Sequence, residues 1–214
     1  MPRTFFENKE LRKKRIDTII NTSLRLFALY GHKKVTIDMI VKECRYSHGL
    51  FYHYFSSKQE VLKEIKKRSN DLFSSKIISI SKKVPLGLPF LREVFSIIID
   101  CINKGNEENY YVHLLFSTKI SELNDGVKTS CFNKEISKMF IESIETAEKQ
   151  ISIVSKKELF KKYLVLFLIA IDGMSSTKIQ YPNLFKKKID ADLLFDKFLG
   201  FVKADDPIPI EYIS

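Results

Sequence analysis

The chain has 214 residues, 44% of them hydrophobic, which supplies enough apolar material for a folded core and argues against a disordered protein. Its formal net charge of +10 favours an anionic partner, either nucleic acid or a membrane surface. The longest apolar run, residues 163–171, is far shorter than the ~20 residues that cross a bilayer. With a charged N-terminus as well, we expect a soluble cytoplasmic protein without a membrane partner.

The residue types and spacings that support catalysis are missing. Cys44, Cys101 and Cys131 match neither a metal-ligand spacing nor a disulfide framework, so we expect reduced thiols, no metal site and no cofactor. No glycine loop for phosphates and no paired carboxylate motif is present. A thiol–imidazole pair of Cys101 and His113 is conceivable, but no acid nearby would orient it. We therefore expect that the protein is not an enzyme.

Apolar residues recur at helical spacing along nearly the whole chain, and no segment shows sustained period-two alternation. A first helix is predicted from about Lys9 to Tyr30, with a buried stripe that includes Tyr30, and Gly31 is its natural terminator. Thr36 and Ser47 are positioned to cap two short helices. In the helix that starts at Thr36, the predicted buried stripe includes Cys44. Ser57 and Glu60 form a capping box that starts a fourth helix ending near residue 83.

Pro85, Gly87 and Pro89 interrupt the helical pattern and suggest a domain boundary. Beyond them we predict helices near 89–103, 109–123, 132–153, 156–179 and 190–203, with a connection at 124–126 and an extended tail over the last eleven residues. The expected fold is therefore all-α. We divide it into a DNA-binding unit (1–57), a connecting helix (58–84) and a ligand-binding and dimerisation bundle (85–214).

The third helix has two different faces. Phe51 and Phe55 share an apolar side, whereas Gly49, Tyr52 and His53 share the opposite one. Glycine inside a helix costs roughly 1 kcal/mol relative to alanine, so Gly49 needs a reason. Close approach of the backbone to DNA is one, and tight packing on the first helix is the other.

Positive charge is concentrated around this helix. Residues 1–60 contain 12 Lys/Arg against 6 Asp/Glu, whereas residues 61–214 contain 24 against 20. Lys58, in the first turn of the fourth helix, opposes the helix dipole, and a phosphate bound there would reverse the effect. A solvated lysine is the simpler alternative. Together these features predict a helix-turn-helix unit that binds double-stranded DNA.

The segment from Thr36 to Leu62 resembles the DNA-binding signature of the TetR family of bacterial transcriptional regulators. Its matching residues are Thr36, Ile40-Val41, Cys44, Ser47, Gly49, Phe51-Tyr52, Tyr54-Phe55, Ser57-Lys58 and Leu62. The resemblance covers about residues 9–65. Two positions depart from the pattern: Arg45 replaces the usual turn glycine, and Leu50 replaces a frequent hydroxyl residue.

The resemblance implies a role for each residue at the DNA. The third helix would enter the major groove, with His48, Gly49 and Tyr52 nearest the base edges. Leu50 could contact a thymine methyl group. The contacts expected with phosphates come from Thr36, His53, Tyr54 and Lys58.

The second half is expected to dimerise and to bind a small molecule. The segment 164–178 is apolar on nearly every face and, with the last helix, could form a two-fold interface of the kind the resemblance implies. Our interface candidates are Leu166, Ala170, Gly173, Leu194, Phe198 and Phe201. Our candidates for an effector pocket are Cys101, Tyr110, Tyr111, His113 and Phe167. The hypothesis is a homodimeric repressor released from a palindromic operator by a largely apolar effector. The alternative is a ligand-independent DNA-binding dimer controlled by a partner protein.

Overall fold

The computed structural model describes residues 5–120, 134–150, 157–184 and 187–203, with side chains described over 6–116, 134–150, 165–184 and 187–200. Across these residues the chain is helical and contains no strand. In order, the helices are α1 (Phe5–Tyr30), α2 (Ile37–Cys44), α3 (His48–Tyr54), α4 (Lys58–Ser81), α5 (Leu88–Lys104), α6 (Glu107–Ile120), α7 (Lys134–Gln150), α8 (Lys157–Gln180) and α9 (Ala191–Lys203). The all-α prediction is confirmed. Three predicted features lie outside the described residues: the connection at 124–126, Cys131 and the tail from 204 onwards.

The predicted stripe of α1 forms the centre of the N-terminal unit. Ile19, Ile20, Leu24 and Phe27 are at most 1% exposed. Tyr30, which we placed in this stripe, is instead 53% exposed. The chain leaves the helix immediately after it, at Gly31, whose φ of +80° is left-handed. No described helix is both long and apolar enough to span a bilayer.

The junction between α4 and α5 is held by a side chain from α7. Gly87 has a φ of +115°, and a Cβ there would lie 2.7 Å from Gln150 Oε1. That same oxygen accepts a hydrogen bond of 3.0 Å from the Leu88 amide, one of the unpaired donors at the start of α5. The glycine therefore makes room for a cap that is supplied from 62 residues away.

Helix α6 packs against α8, α5 and α1. Two polar links join it to α8. Ser175 Oγ donates to Asn109 Oδ1 at 2.6 Å, and both side chains are fully buried. His113 Nδ1 lies 2.9 Å from Asp172 Oδ1, and this pair is also largely covered. Because α6 contacts α1 as well, the N-terminal unit and the bundle share one continuous core.

Helix α9 is fixed to α5 by Arg92. Its guanidinium pairs with Asp192 at 3.0 Å and with Asp196, and it lies 4.7 Å from the centre of the Phe195 ring. Beneath it, aromatic rings from three helices pack together, with Phe167 of α8 4.5 Å from both Phe95 and Phe198.

Candidate nucleic-acid interface

Helix α2 begins at a threonine cap. Thr36 has extended backbone, and its Oγ1 accepts a hydrogen bond of 3.2 Å from the Met39 amide. The hydroxyl proton is not used by this bond, so the exposed Thr36 side chain keeps a donor for a phosphate oxygen. Ile40 and Val41 are buried beneath it, as predicted. Cys44 is only half-buried, because it lies at the end of α2, with its Sγ 3.8 Å from the Thr18 carbonyl oxygen.

The turn between α2 and α3 keeps a left-handed residue despite the missing glycine. Arg45 has φ 55° and ψ 42°, and its amide donates to the Lys42 carbonyl at 3.2 Å. The next amide, of Tyr46, donates to the Val41 carbonyl at 2.9 Å. Of the described residues outside glycine, Arg45 is the one with a positive φ. The arginine thus adopts the glycine conformation, at a cost of roughly 1–2 kcal/mol for a side chain in this region.

Helix α3 is anchored on one side and open on the other. Ser47 caps it through a 3.2 Å hydrogen bond from the Leu50 amide. Phe51 is fully buried and Phe55 is 6% exposed. Tyr52, on the opposite side, is 55% exposed. The two faces are therefore those predicted from the spacing of the residues.

Gly49 lies on the open face of α3. A Cβ added to it would approach no atom closer than Ser47 Oγ, at 4.0 Å. Tight packing on α1, one of the two explanations considered for this glycine, is therefore excluded. The other explanation, close approach of the backbone to DNA, stays a prediction.

His48 is held by a residue of α2. Its Nε2 lies 2.8 Å from Asp38 Oδ1, and its ring stacks on that of Tyr52 with centroids 6.4 Å apart. Asp38 was not among our candidates, since an acidic residue in the first turn of a helix already has a dipole explanation. Nothing in the spacing of two residues on different helices indicates the pair.

Other candidates on α3 flank this open face. His53 is exposed, and its ring meets that of Tyr54 edge-on with centroids 4.8 Å apart. Tyr54 and Leu50 are half-buried, and Tyr54 packs against the core. Their proposed contacts with DNA stay predictions.

Lys58 faces the protein. Its Nζ donates to the carbonyl oxygens of His32 at 2.8 Å, Val35 at 2.7 Å and Lys33 at 3.4 Å. An ammonium group has three N–H donors, and all three have acceptors here. Our interpretation of Lys58 as a phosphate contact is therefore corrected, because the turn before α2 already occupies its donors.

The start of α4 has the predicted cap in a shifted form. Ser57 Oγ accepts from the Glu60 amide at 3.2 Å, as a capping box requires. The Glu60 carboxylate, however, accepts from the amide and hydroxyl of Ser56, at 2.6 and 2.8 Å, one residue earlier than expected. These hydrogen bonds lower the pKa of Glu60.

The pocket candidates have separate partners. Cys101 Sγ donates to Glu108 Oε2 at 3.2 Å, whereas His113 pairs with Asp172 of α8. Tyr111 is buried, Phe167 belongs to the aromatic group beside α9, and Tyr110 is half-buried. Burial and then the hydrogen bond to Glu108 raise the pKa of Cys101 to about 12, which keeps the thiol neutral. The imagined thiol–imidazole pair of Cys101 and His113 is therefore not formed.

The dimer candidates divide into two groups. Leu166, Ala170 and Gly173 are exposed on one side of α8, together with Ile169, which is 45% exposed. Phe198 is only 8% exposed and packs on Phe167, so its assignment to the interface is corrected to the core of the chain itself. Leu194 is half-buried against the same core, and the side chain of Phe201 lies outside the described residues.

A capped α2, a left-handed turn and a short α3 with a bare outer face define a helix-turn-helix DNA-binding protein. The family model described as bacterial regulatory proteins, tetR family, matches residues 19–65. The similarity to this family thus extends from the middle of α1 to the first turns of α4.

Two relatives are each described as an uncharacterized HTH-type transcriptional regulator of Bacillus subtilis (strain 168). The chain is 37% identical to YuxN over 71 residues, which are 33% of this chain and 24% of YuxN. It is 48% identical to YerO over 46 residues, 22% of this chain and 16% of YerO. The chain thus spans a quarter or less of the length of these curated relatives.

Solved structures extend the likeness in fold to the bundle. A TetR-like transcriptional regulator from Rhodococcus sp. RHA1 superposes with a TM-score of 0.59 at 14% identity, covering 88% of this chain and 93% of that one. AibR in complex with isovaleryl coenzyme A and operator DNA superposes with a TM-score of 0.50 at 17% identity, covering 87% and 96%.

Proposed function

We propose that this protein is a dimeric transcriptional repressor that binds a palindromic operator through α3 and leaves it when a small, largely apolar effector binds. The observation that carries the proposal is the open face of α3. Its glycine has no packing partner within the chain, and Tyr52 is exposed beside it, while Phe51 anchors the opposite side. A helix built in this way can lie in a major groove with its backbone close to the base edges.

The contacts divide into base edges and phosphates. His48, Gly49, Leu50 and Tyr52 are assigned to the base edges, since they lie at the start of α3 and along its outer side. Thr36, His53 and Tyr54 are assigned to phosphates, which fix the position of the protein on the duplex without reading sequence.

Dimerisation is assigned to the exposed side of α8. Leu166, Ile169, Ala170 and Gly173 follow one another at helical spacing, and all four are exposed. Apolar and small residues let two helices approach closely. A two-fold dimer would set two copies of α3 about 34 Å apart, the spacing of successive major grooves on one side of DNA.

An effector site is assigned to the bundle of α5–α8. AibR, which shares this fold, was solved with both isovaleryl coenzyme A and operator DNA. The bundle of this chain supplies aromatic side chains such as Phe167 and half-buried polar ones such as Tyr110, the mixture typical of a small-molecule pocket.

Selection from a randomised duplex pool tests the DNA part of the proposal. We expect the selected sequences to be palindromic, and Tyr52→Ala to weaken gel-shift binding to them, with Tyr181→Ala, an exposed tyrosine after α8, as the matched control. Binding that is unchanged by Tyr52→Ala would contradict the assignment of α3.

A thermal-shift screen with apolar compounds, and separately with isovaleryl coenzyme A, which joins a short apolar acyl group to a charged carrier, tests the effector part. A true effector raises the melting temperature and also releases the selected duplex. Stabilisation by none of the compounds would favour the alternative, a ligand-independent DNA-binding dimer under the control of a partner protein.

A further inference from the structure

The ammonium group of Lys58 binds backbone carbonyl groups of the turn that precedes α2. Carbonyl oxygens of residues 32, 33 and 35 converge on it from 23 to 26 positions away in the sequence. The side chain is half-buried, and it lies beside the end of α1, where the helix dipole is negative. The cation therefore stabilises three backbone carbonyl groups whose oxygens meet at one point.

The turn itself has few other bonds to hold it. The amides of Lys34 and Val35 donate to the Gly31 carbonyl at 3.2 and 3.4 Å. Val35 is fully buried, and the next residue is Thr36, the cap of α2. A cation bound to the Val35 carbonyl thus fixes the point at which the chain enters α2.

Lys58 also connects this turn to the bundle. It is the first residue of α4, a helix that packs against α5, α6 and α7. Any displacement of the start of α4 relative to α1 would pull directly on the carbonyl group that precedes the α2 cap.

We propose that Lys58 is a positioning residue for DNA binding: it sets the α1–α2 turn, and with it the placement of α2 and α3 relative to α4, without contacting a phosphate. The proposal rests on the proposed DNA-binding function. In this role Lys58 affects the affinity for DNA through the placement of α2 and α3, and not through a contact of its own with the DNA.

The Lys58→Arg variant distinguishes this positioning role from a phosphate contact. A guanidinium keeps the charge and matches phosphate well, so Lys58→Arg would preserve a phosphate contact. Its planar array of donors, however, cannot replace a compact ammonium whose three N–H groups meet carbonyls converging on one point.

The experiment measures the affinity for the selected duplex as a function of salt for the wild type, Lys58→Arg, Lys58→Met and Lys34→Met. The last variant removes one exposed charge from the same turn. We expect both Lys58 variants to lose about tenfold or more in affinity, with the wild-type slope of log affinity against log salt. A phosphate contact predicts instead near wild-type binding by Lys58→Arg and a slope reduced by about 0.9 in Lys58→Met. Either of those results overturns the proposal.

Amide hydrogen exchange in the free protein provides a second readout. Both Lys58 variants should speed exchange of the Val35 and Met39 amides, which lie in the turn and under the Thr36 cap, whereas Lys34→Met should not. Unchanged exchange in Lys58→Arg would also overturn the proposal. If the wild type itself retains no duplex from the pool, the proposed function fails, and exchange alone still decides whether Lys58 orders the turn.

Discussion

His48 Nε2 lies 2.8 Å from Asp38 Oδ1, which joins the first residue of α3 to the first turn of α2. A carboxylate accepts hydrogen bonds, so Nε2 donates its N–H to Asp38, and the other ring nitrogen, Nδ1, is left for a partner outside the chain. Asp38 therefore determines which atom of His48 can meet DNA.

Replacing Asp38 by alanine should reduce discrimination between bases. Without the carboxylate the His48 ring can turn and exchange its nitrogens, so we expect a loss of about 1–3 kcal/mol in discrimination at the base pair it contacts. Affinity for unrelated duplex should rise, because a negative charge near the DNA is removed. Competition gel shifts with single-base variants of the selected operator measure both. In a His48→Ala background the same substitution should leave discrimination unchanged, and an effect that persists there would contradict this role.

Gly49→Ala should increase stability and weaken DNA binding together. Alanine gains roughly 1 kcal/mol of helix propensity over glycine, and its Cβ meets no neighbour closer than 4.0 Å. At the DNA the same methyl group would hold the backbone away from the base edges. Urea unfolding and gel shifts on the same preparation check the two effects. A variant that is more stable and binds equally well would show that the bare backbone has no function.

Arg45→Gly should stabilise the N-terminal unit. Glycine removes the cost of holding a side-chain-bearing residue in the left-handed conformation, roughly 1–2 kcal/mol. Glycine also makes the unfolded chain more flexible, which offsets part of this gain. The expected net stabilisation is about 0.5–1 kcal/mol. Lys42→Gly is the matched control, because it places a glycine in the regular part of α2 and should destabilise by about 1 kcal/mol. A loss of stability in Arg45→Gly would mean that the arginine side chain contributes more than its backbone conformation costs.

Two substitutions in the α8–α9 pair should separate assembly from folding. Ile169→Glu places a charge on the exposed side of α8, so we expect a folded monomer by sedimentation and circular dichroism. Phe198→Ala removes a buried ring and should cost about 3–5 kcal/mol of stability. A dimer that persists in Ile169→Glu at micromolar concentration would place the interface elsewhere.

The stability of the protein should decrease in mildly acidic solution partly through His32. Burial, followed by the positive charges of Lys58 and Lys66, lowers the pKa of His32 below its ordinary 6.5. The unfolded chain therefore binds the proton first as the pH falls through 6.5, and folding stability is lost below that point. In His32→Phe, which keeps an aromatic ring against Phe27, the decrease in urea stability between about pH 7 and pH 5 should be smaller. An equal decrease in both proteins would exclude the contribution.

The features that could be predicted from sequence are local ones. The caps at Thr36, Ser47 and Ser57 involve hydrogen bonds over three residues, so the residue types and their spacing define them. The end of α1 follows from its terminating glycine, Gly31, whereas the helix starts at Phe5, four residues before the predicted Lys9. The two faces of α3 follow from helical periodicity alone.

The features that could not be predicted depend on which helices meet. The acceptors of Lys58 belong to a turn more than twenty residues away, and the partner of His48 belongs to another helix. Phe198 illustrates a related difficulty. Helix α9 is apolar on more than one side, and periodicity does not decide which side faces this chain and which faces a second copy.

The buried link between Asn109 and Ser175 restricts how α6 can move. An all-apolar contact between two helices tolerates sliding, since one methyl group can replace another. Here a slide of one residue, about 1.5 Å, would separate the Ser175 hydroxyl from the Asn109 amide where both side chains are fully buried, and leaving such groups unpaired is costly. We therefore expect α6 and α8 to shift together as one pair. Because α6 also touches α1, we expect a change at the exposed side of α8 to reach the first helix of the DNA-binding unit as a displacement of that pair.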